Sequence, residues 1–483
     1  MITMHVNLQI ALAAASAAAA VFGVPMFVAE HAITANRQDG PYTSQAAVAA
    51  AGFTLAAAPT IYNWAGRIFA QRPRTSSVMI GRRGTGEHLV TALDAIEAVD
   101  PAAWYLTNIH TRTTADIMAL AGWTSSRAKL AVAQSSSAAM LAGTASTAQQ
   151  TNFQFQGTPA DGDYSIAVTD AWTGALVGTA TVTRTGGTPA ANNDLATAMR
   201  TAWDAVPALA AISAAAGGST NNVLIDFDGL GNLYTFEITD PETPDGLIVE
   251  TDTPGTQNPG ELTSDAEYNR TALIYHDDDT EYMDGSWCGR CLGFALDAPQ
   301  GSGSWAYHVP AGITATRLTD AQKTQLMAYN TNFCSPVRYT SGTEEGGFTF
   351  PGRATSGRSL KIQTSLDVLQ ARLEEAFLGV FLRAAASNRP AVLFSDAGIA
   401  QLQTAAMGVF QRLTRAGHFL DGAVSENTGR ITPYVDVPAA SAVSSTDKSN
   451  GRLTGMTAEA VVAPEILSVG DATNVGFTID LSM

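Results

Sequence analysis

Residues 271–279 read TALIYHDDD, residues 287–333 read WCGRCLGFALDAPQGSGSWAYHVPAGITATRLTDAQKTQLMAYNTNF, and residues 395–419 read SDAGIAQLQTAAMGVFQRLTRAGHF. In that order they predict a buried strand over 272–275, a short helix around the two cysteines, a strand over 305–309 and a helix over 319–330. Two longer helices follow. Over 365–383, Leu366, Leu369, Leu373, Phe377 and Val380 fall at steps of three and four, which marks one buried helical face. Over 396–416 the pattern repeats with Ile399, Leu402, Ala406, Val409 and Leu413. That helix takes Ser395 or Asp396 as its cap and stops at Gly417.

Working outward toward the N-terminus, 21–28 reads as a buried strand, 59–69 as a short helix and 77–80 as another strand. The glycine-rich turn GRRGTG (81–86), a helix over 87–99 and a strand over 104–109 come next. This β-α-β run sets the class as α/β. Composition shifts to Ser, Thr, Ala, Gln and Gly over 135–162 and again over 251–260, which read as linkers or exposed loops. Between them lie strands at 164–168, 176–184, 223–227, 233–239 and 247–250, with a helix over 193–205 capped by Asn192 or Asn193 and closed by Pro207. They read as an inserted, β-rich α+β domain looped out of a core that resumes near residue 261. The tail returns to strands at 459–462, 465–469 and 474–481, where Val475, Phe477, Ile479 and Leu481 alternate with Gly476, Thr478 and Asp480. At the other end, 4–10 (MHVNLQI) alternates weakly through Val6, Leu8 and Ile10. Both ends therefore read as extended β-arms, and such ends fray unless a sheet or a neighbour holds them.

The 483 residues are 46% hydrophobic and only 15% charged, enough for two to four domains with sizeable cores. A surface with few long charged side chains suits packing against other copies. The net charge of −17 repels a phosphate backbone, so nucleic acid is not an expected partner. Three cysteines are too few for a disulfide framework and fit a reducing cytoplasm. Residues 8–29 carry no charge, yet no Lys or Arg precedes them, Ala and Ser dominate, and Gly23 and Pro25 interrupt the run. They read as a buried or intersubunit segment, without stable membrane insertion.

The pattern Trp287-Cys288-Gly289-Arg290-Cys291 matches a thiol–disulfide motif, in which one thiolate attacks and the second resolves. Its surroundings differ from that chemistry. A loop precedes it, and Pro299 with its flanking glycines stops any long helix after it, so two small packed thiols are the reading adopted. Cys288, Cys291 and Cys334 do not make a tetrahedral zinc set. His276-Asp277-Asp278-Asp279 with Glu281 lacks the loop spacing of a calcium hand and reads as a solvated acidic loop. The 81–86 turn matches neither glycine-rich nucleotide fingerprint. No catalytic, metal or cofactor-binding residue, and no cofactor, is expected.

Three segments, FGVPMFVAEHA (22–32), IYNWAGRIFAQRPRTSSVMIGRR (61–83) and the block 269–422, together resemble the contractile-tail sheath proteins of bacteriophages. The resemblance covers most of the core and lies in the ordered set; within it Leu318-Thr319, Gln322, Asn330 and Asn332 correspond to structural positions. The cysteine pair departs from positions that usually carry small residues. The resemblance implies a division into an N-terminal arm (1–20), a first core part (21–140), an inserted outer domain (141–260), a second core part reaching toward the tail tube (261–470) and a C-terminal arm (471–483). It implies a homo-oligomer of hexameric rings stacked helically, a tail tube protein as partner, baseplate and tail terminator proteins at the ends, and residence in the virion after assembly in the host cytoplasm. The arm strands, with Val6, Leu8, Ile10, Val475, Phe477, Ile479 and Leu481, are expected to complete sheets of adjacent copies. Arg412 and Arg415, in the last turn of a helix, are expected to face the tube. A thioredoxin-like disulfide oxidoreductase using Cys288 and Cys291, and a self-assembling surface-array protein, are the competing readings.

Overall fold

The structure is a computed structural model, and it describes residues 3–7, 22–213, 215–216, 221–231, 233–241, 248–299, 303–338, 344–386, 392–463 and 479–481. Strands such as Leu130–Ser135 and Thr271–Tyr275 are buried at every position, the signature of a parallel sheet covered on both faces. From one edge to the other the strands run Glu344–Phe350, Asn332–Arg338, Thr271–Tyr275, Leu130–Ser135, Leu106–Ile109, Pro25–Glu30, Val78–Arg83 and Gln38–Tyr42. The inner six are parallel and the two outermost are antiparallel to their neighbours. The chain is thus a mixed α/β protein.

Side-chain alternation along Pro25–Glu30 fills the two faces separately. Met26 and Val28 join one buried cluster with Leu93, Ile96 and Ile117, while Phe27 and Ala29 join another with Ile61, Trp64 and Ile68. Phe27 stacks on Trp64 with ring centroids 4.7 Å apart. Farther along the sheet, Leu106, Val132, Ala272 and Ile274 pack under Trp287, Leu366, Leu369 and Phe410, so the C-terminal helices cover that part.

The segment between residues 148 and 253 has its own core, in which Phe153, Phe155, Tyr164, Ile166, Trp203 and Ile225 are buried together. Two antiparallel sheets, one of four strands and one of three, share this core with the helix Asn192–Ala205. Two expectations are corrected. The stretch 135–162 holds the strand Ala148–Phe155, which lies between two partners in the four-stranded sheet. Its buried row of Gln149, Thr151, Phe153 and Phe155 is half polar, and that hides the alternation. Those polar members are satisfied: Gln149 accepts from the Leu233 and Tyr234 amides, and Thr151 donates to Asp252 at 2.7 Å. Residues 305–309 form no strand, because Tyr307 adopts φ 59°, outside the extended region.

The long helix Leu360–Ala386 is fastened to the sheet at Asp367. This carboxylate takes both terminal nitrogens of Arg270 at 2.8 Å, the Tyr105 hydroxyl at 2.6 Å and the Gln363 amide at 3.0 Å. A second stitch is His418, whose ring nitrogens lie 2.8 Å from Ser365 Oγ and 2.9 Å from the Leu296 carbonyl; burial holds its pKa below the ordinary histidine value. Removing one member of a buried pair leaves the other charge uncompensated. Asp367→Ala is therefore expected to cost about 3–5 kcal/mol of stability, read as a lower urea midpoint.

Candidate functional site

Four strands form a separate sheet beside the two long helices, in the order Tyr434–Asp436, Thr457–Val461, Thr3–Asn7, Ile479–Leu481. Thr457–Val461 is the hub, and after Thr457 every residue through Val462 is buried. On one side it pairs antiparallel with three residues of Tyr434–Asp436. On the other it pairs antiparallel along its whole length with Thr3–Asn7, Val6 lying opposite Ala458 and His5 opposite Glu459. Among the described residues the C-terminal strand pairs with the N-terminal one alone, in parallel, Ile479 opposite Met4 and Leu481 opposite Val6.

The arms expected to reach adjacent copies are thus paired with each other and with the hub inside one chain. The physical reason is local concentration: in a lone chain the tethered strands are the partners most available to an open edge. The N-terminal strand is described over Thr3–Asn7, and Leu8, Ile10, Val475 and Phe477 lie outside the described residues.

The hub carries one buried carboxylate, Glu459. It accepts hydrogen bonds from Ser425 Oγ, Thr428 Oγ1 at 2.8 Å and the Tyr434 hydroxyl, so the loop before the outer strand and the strand itself are fixed to the hub. Gln403 donates to the Val435 carbonyl at 2.8 Å, tying the outer strand to the helix Asp396–Arg415. Sequence reading misses Glu459 as an organising group, because a single Glu inside TAEAVV looks like an outward-facing residue of an ordinary strand.

The last turn of Asp396–Arg415 holds both arginines expected to face a tube. Arg412 lies 3.8 Å from Asp297, a carboxylate already gripped by Arg372. Arg415 is exposed and makes no ion pair among the described residues. Thr319 and Gln322 cap the helix Asp320–Ala328 reciprocally, and Asn330 adopts φ 53° and donates to the Thr355 carbonyl. Asn332 donates to the Leu273 and Arg353 carbonyls and accepts from the Gly352 and Arg353 amides, using its full capacity.

The feature that most resembles a phosphate site is filled by the chain's own side chains. In the glycine-rich turn, the Gly84 amide donates to Glu87 Oε2 at 2.6 Å, and Arg37 holds the same carboxylate at 2.6 and 2.8 Å. Glu87 thus sits where a phosphate would, and these bonds hold its pKa below the usual carboxylate value. The strand order reverses between Pro25–Glu30 and Leu106–Ile109, the switch point at which such sheets take ligands. There Arg112 lies 3.6 Å from Asp279 and 3.7 Å from Asp284, with Tyr282 beneath its guanidinium. Burial raises the Asp284 pKa against the opposing pull of Arg112.

In the acidic loop, Asp277 accepts from Thr316, Asp278 from Thr280 and Glu281 from Thr314. Among the described residues no group of three or more His, Cys, Asp or Glu side chains is placed to hold a metal ion. A cleft of about 530 Å³ lies where the inserted segment meets the core, against Met118, Trp172, Tyr234 and Tyr268. Of its carboxylates, Asp170 holds the Trp172 and Thr173 amides and Glu261 holds the Ser146 amide. No helix among the described residues is long and apolar enough to cross a membrane.

Cys288 and Cys291 sit at the middle and end of the helix Met283–Cys291, not at its N-terminus, and both are buried. Burial, with Asp284 adding to it, pushes the Cys288 thiol well above its ordinary pKa, and burial takes Cys334 to about 12. Attack on a disulfide needs an accessible thiolate, and the geometry supplies neither access nor charge. No protein-family model and no curated protein matches this chain.

Native protein is expected to leave its three thiols unreacted with an aromatic disulfide reagent until denaturant is added. Cys334 also fixes a sign at high pH. Its raised native pKa means that the folded chain keeps a proton which the unfolded chain releases, so the contribution is whole below the ordinary value of 9 and is lost as pH rises toward 12. Cys334→Ala should flatten this alkaline loss, read as the difference between variant and parent unfolding midpoints across that window.

Proposed function

We propose that this chain is the subunit of a phage contractile-tail sheath, polymerising as stacked hexameric rings around a tail tube and contracting to drive that tube through a host envelope. The observation that carries the reading is the sheet in which Thr3–Asn7 lies on a buried hub strand and Ile479–Leu481 lies on Thr3–Asn7. Fourteen residues separate Asn7 from Phe22, and fifteen separate Ala463 from Ile479. Extended, each connector spans at most about 50 Å, enough to carry its strand to an adjacent subunit. The same ladder then forms between copies, an exchange of identical elements that costs little.

Five ladder pairs at roughly 1 kcal/mol net per hydrogen bond make a weak single contact. Two arms per subunit, repeated around a lattice, turn it into strong tethering. A head-to-tail contact that does not close on itself generates a helix, so one subunit type builds a tube. The body is stitched at Asp367 and His418 and can turn as a unit while the arms hold the neighbours. The filled glycine turn, and thiols held neutral by burial, favour a structural role over the oxidoreductase reading.

Negative-stain microscopy of purified protein tests this: striated hollow tubes are expected, and uniform monomers under all polymerising conditions would overturn it. Removal of residues 475–483 should abolish ordered tubes while the body keeps its circular dichroism. Within the tube-facing part of the reading, Arg415→Glu should weaken co-sedimentation with tail tubes more than Arg412→Glu, because Arg412 already shares Asp297 inside its own subunit.

A further inference from the structure

We infer that the unassembled chain caps its own assembly edge, and that its two arms dock in a fixed order, the N-terminal strand first. The inference rests on the sheath reading for the identity of the displacing partner, a second copy of this chain, and on the sheet alone for the rest.

A strand has two edges, and the hub uses both within one chain. The outer strand Tyr434–Asp436 takes one edge, and Thr3–Asn7 covers the other over all five hub residues. A neighbour's N-terminal strand seeks the edge that the chain's own strand already holds. The ladder is the same in either case, so exchange brings no gain in backbone pairing and is decided by local concentration and by the rate of opening. A strand on a short tether sees its edge at an effective concentration on the order of millimolar. Free subunits at about 1 µM compete at a disadvantage of about a thousandfold. The capped chain therefore stays unpolymerised until a growing end holds several edges and arms close together.

The order of docking follows from the order of strands. Ile479–Leu481 has no pairing with the hub; its register partners are Met4, His5 and Val6 of the N-terminal strand. The C-terminal arm has a seat only where an N-terminal arm already lies, while the N-terminal arm has a seat on the hub by itself.

The test uses the full chain with paired cysteines, Val6→Cys with Ala458→Cys, and one register step away Asn7→Cys with Thr457→Cys. Opposed residues in an antiparallel pair alternate in geometry, so the two variants sample both kinds of site. The three native thiols are buried and do not compete. Oxidation at about 1 µM, a dilution that favours tethered over free partners, is expected to give a disulfide within one chain. The locked chain should then bind a labelled peptide of residues 1–10 (MITMHVNLQI) at least tenfold more slowly than the reduced chain, with reductant restoring binding. Disulfides between chains at this dilution, or equal peptide binding by locked and reduced chains, would overturn self-capping.

For the order of docking, hydrogen exchange is the readout. Removing residues 1–7 should expose the amides of 479–481, whereas removing 479–483 should leave those of 3–7 protected. Protection of 479–481 without the N-terminal strand would defeat the ordered scheme. A chain that locks and takes the peptide but never builds tubes would retain self-capping and lose the sheath reading.

Discussion

Every strand edge in a protein is a row of unpaired amides and carbonyls that must find partners. The large sheet meets this demand locally, by setting Gln38–Tyr42 and Glu344–Phe350 antiparallel at its two margins. The small sheet does so on one side of its hub strand, where Tyr434–Asp436 pairs with three residues and Phe419 bridges to Val462 beyond them. The other side is completed by Thr3–Asn7, which in turn carries Ile479–Leu481. Residues more than four hundred positions apart thus share one sheet.

The remainder of the molecule gives that sheet a firm base. Gln403 ties the outer strand to the helix Asp396–Arg415, His418 ties the end of that helix to Leu360–Ala386, and Asp367 ties the long helix to the parallel sheet through Arg270 and Tyr105. The linked groups are polar, buried and satisfied, so each link is costly to break and fixes one geometry.

The same rigidity accounts for the filled glycine turn. Glu87 supplies the carboxylate for the Gly84 turn, and Arg112 lies between Asp279 and Asp284 at the switch point. The glycine turn, a place that elsewhere takes phosphate, here serves as an internal fastening. The cysteine pair belongs to the same pattern: Cys288 lies beneath the sheet beside Asn108, where a neutral thiol packs like a small apolar group.

Periodicity alone determined much of this protein. The three- and four-residue steps through Leu366, Leu373 and Phe377 place the long helix, continuous apolar runs place the parallel strands, and Ser395 caps its helix as its residue type requires. These are signals carried by neighbours in sequence, and a local rule reads them. Long-range partners decided the rest. Ala148–Phe155 is a strand because Asn222–Leu230 and Ile248–Thr253 flank it, and residues 305–309 are irregular because Tyr307 turns to a positive φ. Glu459 is buried because Ser425, Thr428 and Tyr434 meet it there. Alternation through Val6 and through Ile479 and Leu481 marked both ends as extended, but not which edge they would occupy, since backbone pairing is open to any edge and only the fold brings one within reach.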